Sequence, residues 1–281
     1  MYIEHSGIKL NVEIPKEFDK RKDSVILIHG FTGCAEDWLP LIDMLPENFN
    51  YLLLDLIGHG KSDHPVLPEF YKTDSIIEQI KSVKEKIVKD SKVILIGYSM
   101  GGRAALSFAV KYPEEIKGLV LESASAGIKN DTERNKRYEE DLKLVEFLSS
   151  HSMEEFIDFW QDQEMFNTQR RFSNDKIKRL KKIKYTNSKI GLMNILRGFS
   201  TGIMPPLHDK LKTIPIKVLL ISGELDTKYT FINSKIVRGF RKAKHKVVKN
   251  SGHNTHLEEP KRTAEIITNY LNQIANIENQ K

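Results

Sequence analysis

The sequence predicts a doubly wound α/β fold, a mostly parallel sheet with helices on both faces and a helical cap inserted before its last strands. Three observations predict it. Continuous apolar runs at residues 25–28, 51–54, 93–96, 119–121 and 218–221 are separated by segments of helical periodicity, the alternation that builds βαβ units. The run at 93–96 passes through Gly97-Tyr98-Ser99-Met100-Gly101 directly into a helical pattern. From Lys129 to about Ser200 the alternation stops and only helical patterns remain. The expected organisation is a core of residues 1–127 and 201–281 carrying a cap at 128–200.

Length and composition bound the rest. A chain of 281 residues, 40% of them hydrophobic, can bury a sizeable core. The single cysteine, Cys34, rules out an internal disulfide framework and fits a reducing compartment. Met1 to Gly7 has neither a basic start nor an apolar stretch, so no signal peptide is expected. No run approaches the ~20 apolar residues of a membrane helix. The expectation is a soluble cytoplasmic protein without a membrane partner, a monomer or weak homo-oligomer, with disorder confined to residues 277–281. A net charge of +6 leaves three readings, a solvated basic surface, a nucleic-acid partner or a polyanionic small substrate.

Taken in order, residues 9–14 alternate apolar and polar as an edge strand does, and 15–24 form a charged loop. Val25-Ile26-Leu27-Ile28 reads as a strand buried on both faces, ending in the turn His29-Gly30-Phe31-Thr32-Gly33. Trp38, Leu41 and Leu45 space a helix over about 35–45. After the strand at 51–55, Gly60-Lys61-Ser62 imitates the end of a phosphate-binding loop. Asp55 stands where that motif needs glycine, so the nucleotide reading fails. A helix over 73–89 carries Ile76, Ile77, Ile80, Val83 and Ile87 on one stripe. Residues 116–122 are a strand. In the cap, Asn130 to Glu133 cap a first helix, and 153–160, 176–183 and 190–196 read as three more. A strand at 216–221, a helix at 231–240, a strand at 245–248 and a helix at 260–275 complete the core.

The motif at 97–101 is G-x-S-x-G in the setting its chemistry requires, strand, sharp turn, helix. Glycine is needed on either side of the serine because a Cβ would collide with neighbouring backbone. Ser99, Asp226 and His253 follow in that order, each just past a predicted strand, where open α/β sheets place their ligands. A serine hydroxyl is inert at neutral pH unless an imidazole takes its proton and a carboxylate orients the imidazole. Asp226 alone would pass for a helix cap and His253 for an ordinary loop histidine. Three such residues in order at three strand ends make those readings poor. The backbone N–H groups of Phe31 and Met100 are placed to form an oxyanion hole. His253 and His256 are three apart, but no third ligand of suitable spacing accompanies them, so no metal is expected and His256 reads as structural. Cys34 reads as a buried small residue.

The basic excess has an address. Between Arg170 and Lys189 nine lysines and arginines stand against one acid, Asp175. Only Phe172 and Tyr185 interleave with them, too few aromatics for a nucleic-acid surface. Some of these cations are expected to face a pocket under the cap that receives a small, multiply carboxylated substrate.

Residues 97–106 resemble the elbow of the menaquinone-pathway 2-succinyl-6-hydroxy-2,4-cyclohexadiene-1-carboxylate (SHCHC) synthases, members of the α/β-hydrolase superfamily. Residues 133–141, from Glu133 through Arg137 to Asp141, are similar to that family's cap helix, and residues 223–229 and 252–256 to its Asp and His segments. The resemblance implies that Tyr98, Arg103, Arg137 and Trp160 bind the substrate, with Lys184 or a neighbouring lysine standing where an arginine is usual. Gln163-Glu164-Met165-Phe166, Met204 and Ile57 depart from the family pattern. The implied reaction is elimination of pyruvate, with Ser99 as a base activated by His253 and Asp226 and with no metal or organic cofactor. The alternatives are a serine hydrolase of a small acidic substrate (a carboxylesterase or a carbon–carbon bond hydrolase) and a non-catalytic ligand-binding member of the fold.

Overall fold

The structure, a computed structural model, describes residues 1–278, and the polar tail from Asn279 onward lies outside the described residues. Eight strands form one sheet in the order β1-β2-β4-β3-β5-β6-β7-β8. The first two, β1 (Tyr2–His5) and β2 (Ile8–Glu13), make an antiparallel hairpin, and β2 pairs antiparallel with β4 (Phe49–Leu54). All later pairings are parallel, joining β4 to β3 (Asp23–Ile28), β5 (Val93–Tyr98), β6 (Ile116–Glu122), β7 (Lys217–Gly223) and β8 (Ala243–Val248).

The short helix α1 (Leu39–Ile42) follows a 3-10 turn at Ala35–Trp38 rather than forming one helix over 35–45. Pro40 accounts for the break between the two turns, since it has no N–H to donate to the Glu36 carbonyl one helical turn back, whereas it is tolerated in the first turn of α1. Helix α2 (Thr73–Ile87) buries Ile76, Ile77, Ile80 and Val83 against the sheet, and α3 (Met100–Lys111) follows β5. Between β6 and β7 come α4 (Asp131–Ser150), α5 (Met153–Gln161), a 3-10 stretch at Glu164–Arg171, α6 (Asn174–Tyr185) and α7 (Lys189–Phe199). Helix α8 (Thr227–Ile236) follows β7, and α9 (Thr255–Glu258) and α10 (Pro260–Glu278) close the described chain.

Each sheet face has its own core. One gathers Ile26, Ile28, Leu95 and Leu119 with α2 and α3, and the other gathers Val25, Leu27, Ile94 and Ile96 with Trp38 and α10. The apolar runs have side chains on both faces, and both faces are covered, which is why they alternate with nothing polar. The strand at 8–13 is not the sheet's edge as its alternation suggested, because β1 lies outside it. Only Ile3 of β1 is buried, too little pattern to be seen in the sequence. In chain order β3 turns left to β4 and the chain then returns to β5 on the right, so the reversal lies between β3 and β5. An open α/β sheet has its crevice beyond the carboxyl ends of such strands. Phe31 lies just past β3 and Ser99 just past β5.

Candidate active site

Ser99 joins β5 to α3 with φ 50° and ψ −107°, outside the region an L-residue prefers. Its N–H donates to the Glu122 carbonyl at 2.8 Å. The flanking glycines are required by space: a Cβ on Gly97 would stand 2.3 Å from the Gly101 carbonyl oxygen, and one on Gly101 2.2 Å from that of Ile28. The turn therefore lifts the hydroxyl off the sheet, while Met100, first residue of its helix, has an N–H without an acceptor inside that helix.

His253 donates Nδ1–H to Asp226 Oδ2 at 2.7 Å, and its Nε2 lies 3.1 Å from Ser99 Oγ. The carboxylate fixes the tautomer and leaves Nε2 free to accept the hydroxyl proton. Asp226 is a helix cap as well, because its Oδ1 accepts from the Tyr229 N–H at 3.0 Å at the start of α8. Both readings of that aspartate hold at once, one oxygen for each. His253 is 1% exposed and sits between the rings of Tyr98 and Tyr229, with centroids at 5.4 and 4.6 Å. Glu258 steadies its loop by accepting from the N–H of Gly252 at 2.8 Å.

Ser99 opens onto a cavity of about 720 Å³ that Phe31, Met100, Arg103, Arg137 and Trp160 also line. Phe31 stands edge-on to Trp160 at 5.1 Å, Phe166 edge-on to Trp160 at 5.9 Å, and Phe166 in turn edge-on to His253 at 6.3 Å. The Arg103 guanidinium donates Nη1–H to the Phe199 carbonyl at 2.7 Å and lies 4.8 Å over that residue's ring. Among the described residues it has no carboxylate partner, and burial pushes its pKa down to about 10. It remains a cation at neutral pH, poorly solvated and able to gain from an incoming anion. Arg137, on α4, points its Nε–H at both oxygens of Asp141 at 3.0 Å. Asp141 is 1% exposed and also accepts from Ser200 Oγ, which ties the guanidinium to the start of the return segment. Burial works against the charge on Arg137, but Asp141 prevails and raises its pKa.

Two of the expected binding residues are not on the cavity's wall. Tyr98, 8% exposed, points to the other face of the sheet and packs under His253 and His256. The alternation of β5 dictates this, and the sharp turn then sends Ser99 elsewhere. Lys184 lies near the buried pair His29 and His59, whose pKa values its charge helps to lower. The basic run of 170–189 as a whole departs from expectation, for none of its nine cations lines the cavity. Arg170 pairs with Asp162 at 2.5 Å, Arg171 with Glu258 at 3.5 Å and Lys181 with Asp158 at 2.7 Å. Lys176 donates to the Leu257 carbonyl at 3.0 Å, and Lys189 to that of His151 at 2.6 Å. Acids hold three of these side chains and backbone carbonyls the other two, all from outside the run, which composition over twenty residues does not reveal.

The cavity's third cation is Lys228, which with Tyr229 falls in the segment resembling the family's Asp segment but was given no role from the sequence, and Thr168 was not singled out at all. The available signal was position, two and three residues past Asp226 on the first turn of its helix. Thr168 Oγ1 and Trp160 Nε1 are buried without hydrogen-bond partners, and both residues line the cavity. His256 is structural: it stacks on Trp38 at 4.0 Å and pairs with Glu122 at 2.8 Å. Burial raises the Cys34 thiol well above its ordinary pKa, which suits an inert core residue.

A family model for the alpha/beta hydrolase fold matches residues 23–260. A protein of Bacillus subtilis (strain 168), provisionally named a 2-succinyl-6-hydroxy-2,4-cyclohexadiene-1-carboxylate synthase, is 36% identical over 93% of this chain and 94% of its own. The solved structure of MenH from S. aureus superposes with a TM-score of 0.88 at 27% identity, covering 95% of this chain and 98% of that one. The enol-lactonase of Burkholderia xenovorans LB400 reaches a TM-score of 0.81 at 18% identity, over 97% and 100% of the two chains, a likeness of fold alone.

Proposed function

Because the chain belongs to the α/β-hydrolase family and, within it, to the SHCHC synthases, we propose that it is a lyase of menaquinone biosynthesis. It eliminates pyruvate from a cyclohexene ring bearing succinyl, carboxylate and enolpyruvyl groups. The observation that carries this reading is the Asp226–His253–Ser99 hydrogen-bond chain opening into a cavity with Arg103, Arg137 and Lys228 on its wall.

In this mechanism the substrate's carboxylates meet the arginines and its ring lies against Trp160. Ser99 Oγ gives its proton to His253 Nε2 as it removes the ring proton α to the succinyl ketone. Asp226 stabilises the imidazolium, and the developing enolate oxygen lies between the N–H groups of Phe31 and Met100. The electron pair moves through the ring double bond and breaks the ring carbon–oxygen bond. The enolpyruvyl oxygen leaves, takes up a proton, and the enol ketonises to pyruvate. Proton uptake and release balance, and Ser99 ends as it began.

Pyruvate release from the ring substrate, followed by coupling to lactate dehydrogenase, tests the reading. Continuous release at micromolar enzyme supports it, and no release overturns it. A serine hydrolase with the same triad would instead acylate Ser99, visible as a burst with an activated ester.

A further inference from the structure

Positive charge left unpaired by the cap and the active site collects at the other end of the sheet. From residue 227 to residue 257 the chain carries eight lysines and arginines and no aspartate or glutamate. Within this stretch lies β8, the sheet's second edge. The alternation of β8 puts Lys244 and Lys246 on the side of Val248, which packs into the α10 core. Beneath them is a cavity of about 670 Å³ between the starts of β7 and β8 and helix α10. Lys217 and Lys242 complete its cationic rim, Leu219, Ile266 and Tyr270 give it an apolar floor, and no acid lines it. Among the described residues none of the four lysines makes an ion pair. A volume of this size is in the range of small-molecule sites.

We propose that this cavity binds an amphipathic anion, an alkyl or ring body seated on Leu219, Ile266 and Tyr270 with its phosphate or carboxylate among the four lysines. Lysines on an edge strand also discourage pairing with another chain, but that role requires neither a cavity under them nor an apolar floor. Lysine is a compact point charge on a flexible stem, suited to a hydrated phosphate rather than to a fixed bidentate carboxylate. The site is remote from Ser99, Asp226 and His253, which follow the carboxyl ends of their strands, and it is independent of the proposed reaction. Its ligand is either a free amphiphile or the headgroup of an anionic lipid in a bilayer.

The test is calorimetric titration with dodecyl phosphate below its micellar concentration, alongside sedimentation with phosphatidylglycerol vesicles. One-to-one binding of dodecyl phosphate, weakened at least tenfold in K244E/K246E and held within threefold in K244R/K246R, supports the site and assigns a free amphiphile. Vesicle binding with the same dependence on the two lysines supports it and assigns a lipid headgroup. Both lysines are exposed, so an unchanged melting temperature shows that the variants fold. Absence of binding to either probe, or equal binding by the charge-reversed variant, overturns the proposal. So does equal binding of dodecyl maltoside, which lacks the charge.

Discussion

Ser99 holds a backbone conformation that costs on the order of 1–3 kcal/mol, and the strand, helix and glycines around it hold it there. The strain aims the hydroxyl at His253 Nε2 in advance of the substrate. In the proposed mechanism Ser99→Ala removes the base while leaving the cavity wall in place. Turnover should fall by at least ~10²–10⁴, with substrate affinity by calorimetry unchanged to within threefold. Arg103 and Arg137 differ in what they already hold. Arg137 spends its Nε on Asp141, whereas Arg103 gives one N–H to the Phe199 carbonyl and has no carboxylate. A charged hydrogen bond contributes about 1.5–3 kcal/mol, so Arg103→Ala should raise KM roughly 10- to 100-fold with a smaller effect on kcat. Arg103→Lys should recover only part of this, since lysine keeps the charge and loses the planar fork.

Helix α7 reaches the core through a contact that admits no side chain. A Cβ on Gly191 would stand 2.3 Å from the Gly58 carbonyl oxygen, and Gly58 itself has φ +80°. Gly191→Ala must shift the helix, at about 1–3 kcal/mol by analogy with overpacked cores. Ile195, Leu196 and Phe199 of the same helix line the active cavity. The variant should therefore lose several degrees of melting temperature and show a raised KM with Ser99 chemistry intact. The sequence made the periodic elements legible, among them α2 and the runs of β3 and β5, because burial on one or two faces writes itself into every second or every third to fourth residue. It was silent on β1, with one buried side chain. It set the start of α8 near residue 231, whereas the Asp226 cap starts it at Thr227.

Acid sensitivity belongs to the chain as a whole and has two sources. Burial lowers the pKa of His29 and, with the help of the neighbouring His29 charge, that of His59 further still below the ordinary 6.5. The unfolded chain takes up these protons and the folded one refuses them, so the stability they leave intact above about pH 6.5 declines as pH falls below it. Each contributes a slope of up to about 1.4 kcal/mol per pH unit. Burial alone would raise Glu122, but His256 and the hydrogen bonds from Thr255 and the His256 N–H hold it below 4.5. Its stabilising contribution is complete above that value and is lost as pH falls toward the depressed one. Melting temperature should drop in two windows, one below about pH 6.5 and one below about 4.5. His59→Gln should flatten the first, and Glu122→Gln the second while lowering stability at neutral pH. Unaltered melting profiles in both variants would contradict this assignment.

The candidates Ser99, Asp226 and His253 stood out in the sequence because each follows a strand end in a local pattern whose chemistry constrains its neighbours, whereas Arg103 and Arg137 were singled out only by the family resemblance of the elbow and the cap helix. The alternation of strand and helix likewise determined the α/β class, since faces covered on both sides demand unbroken apolar runs. Only tertiary structure decided where the charges act. Pairing is a matter of distance in space, so Arg170, Arg171 and Lys181 meet acids from α5, its following turn and the 258–259 segment, and none of the nine cations of 170–189 joins Arg103, Arg137 and Lys228 on the cavity wall. Strand alternation and a sharp turn, one residue apart, sent Tyr98 below the histidine and Ser99 above it.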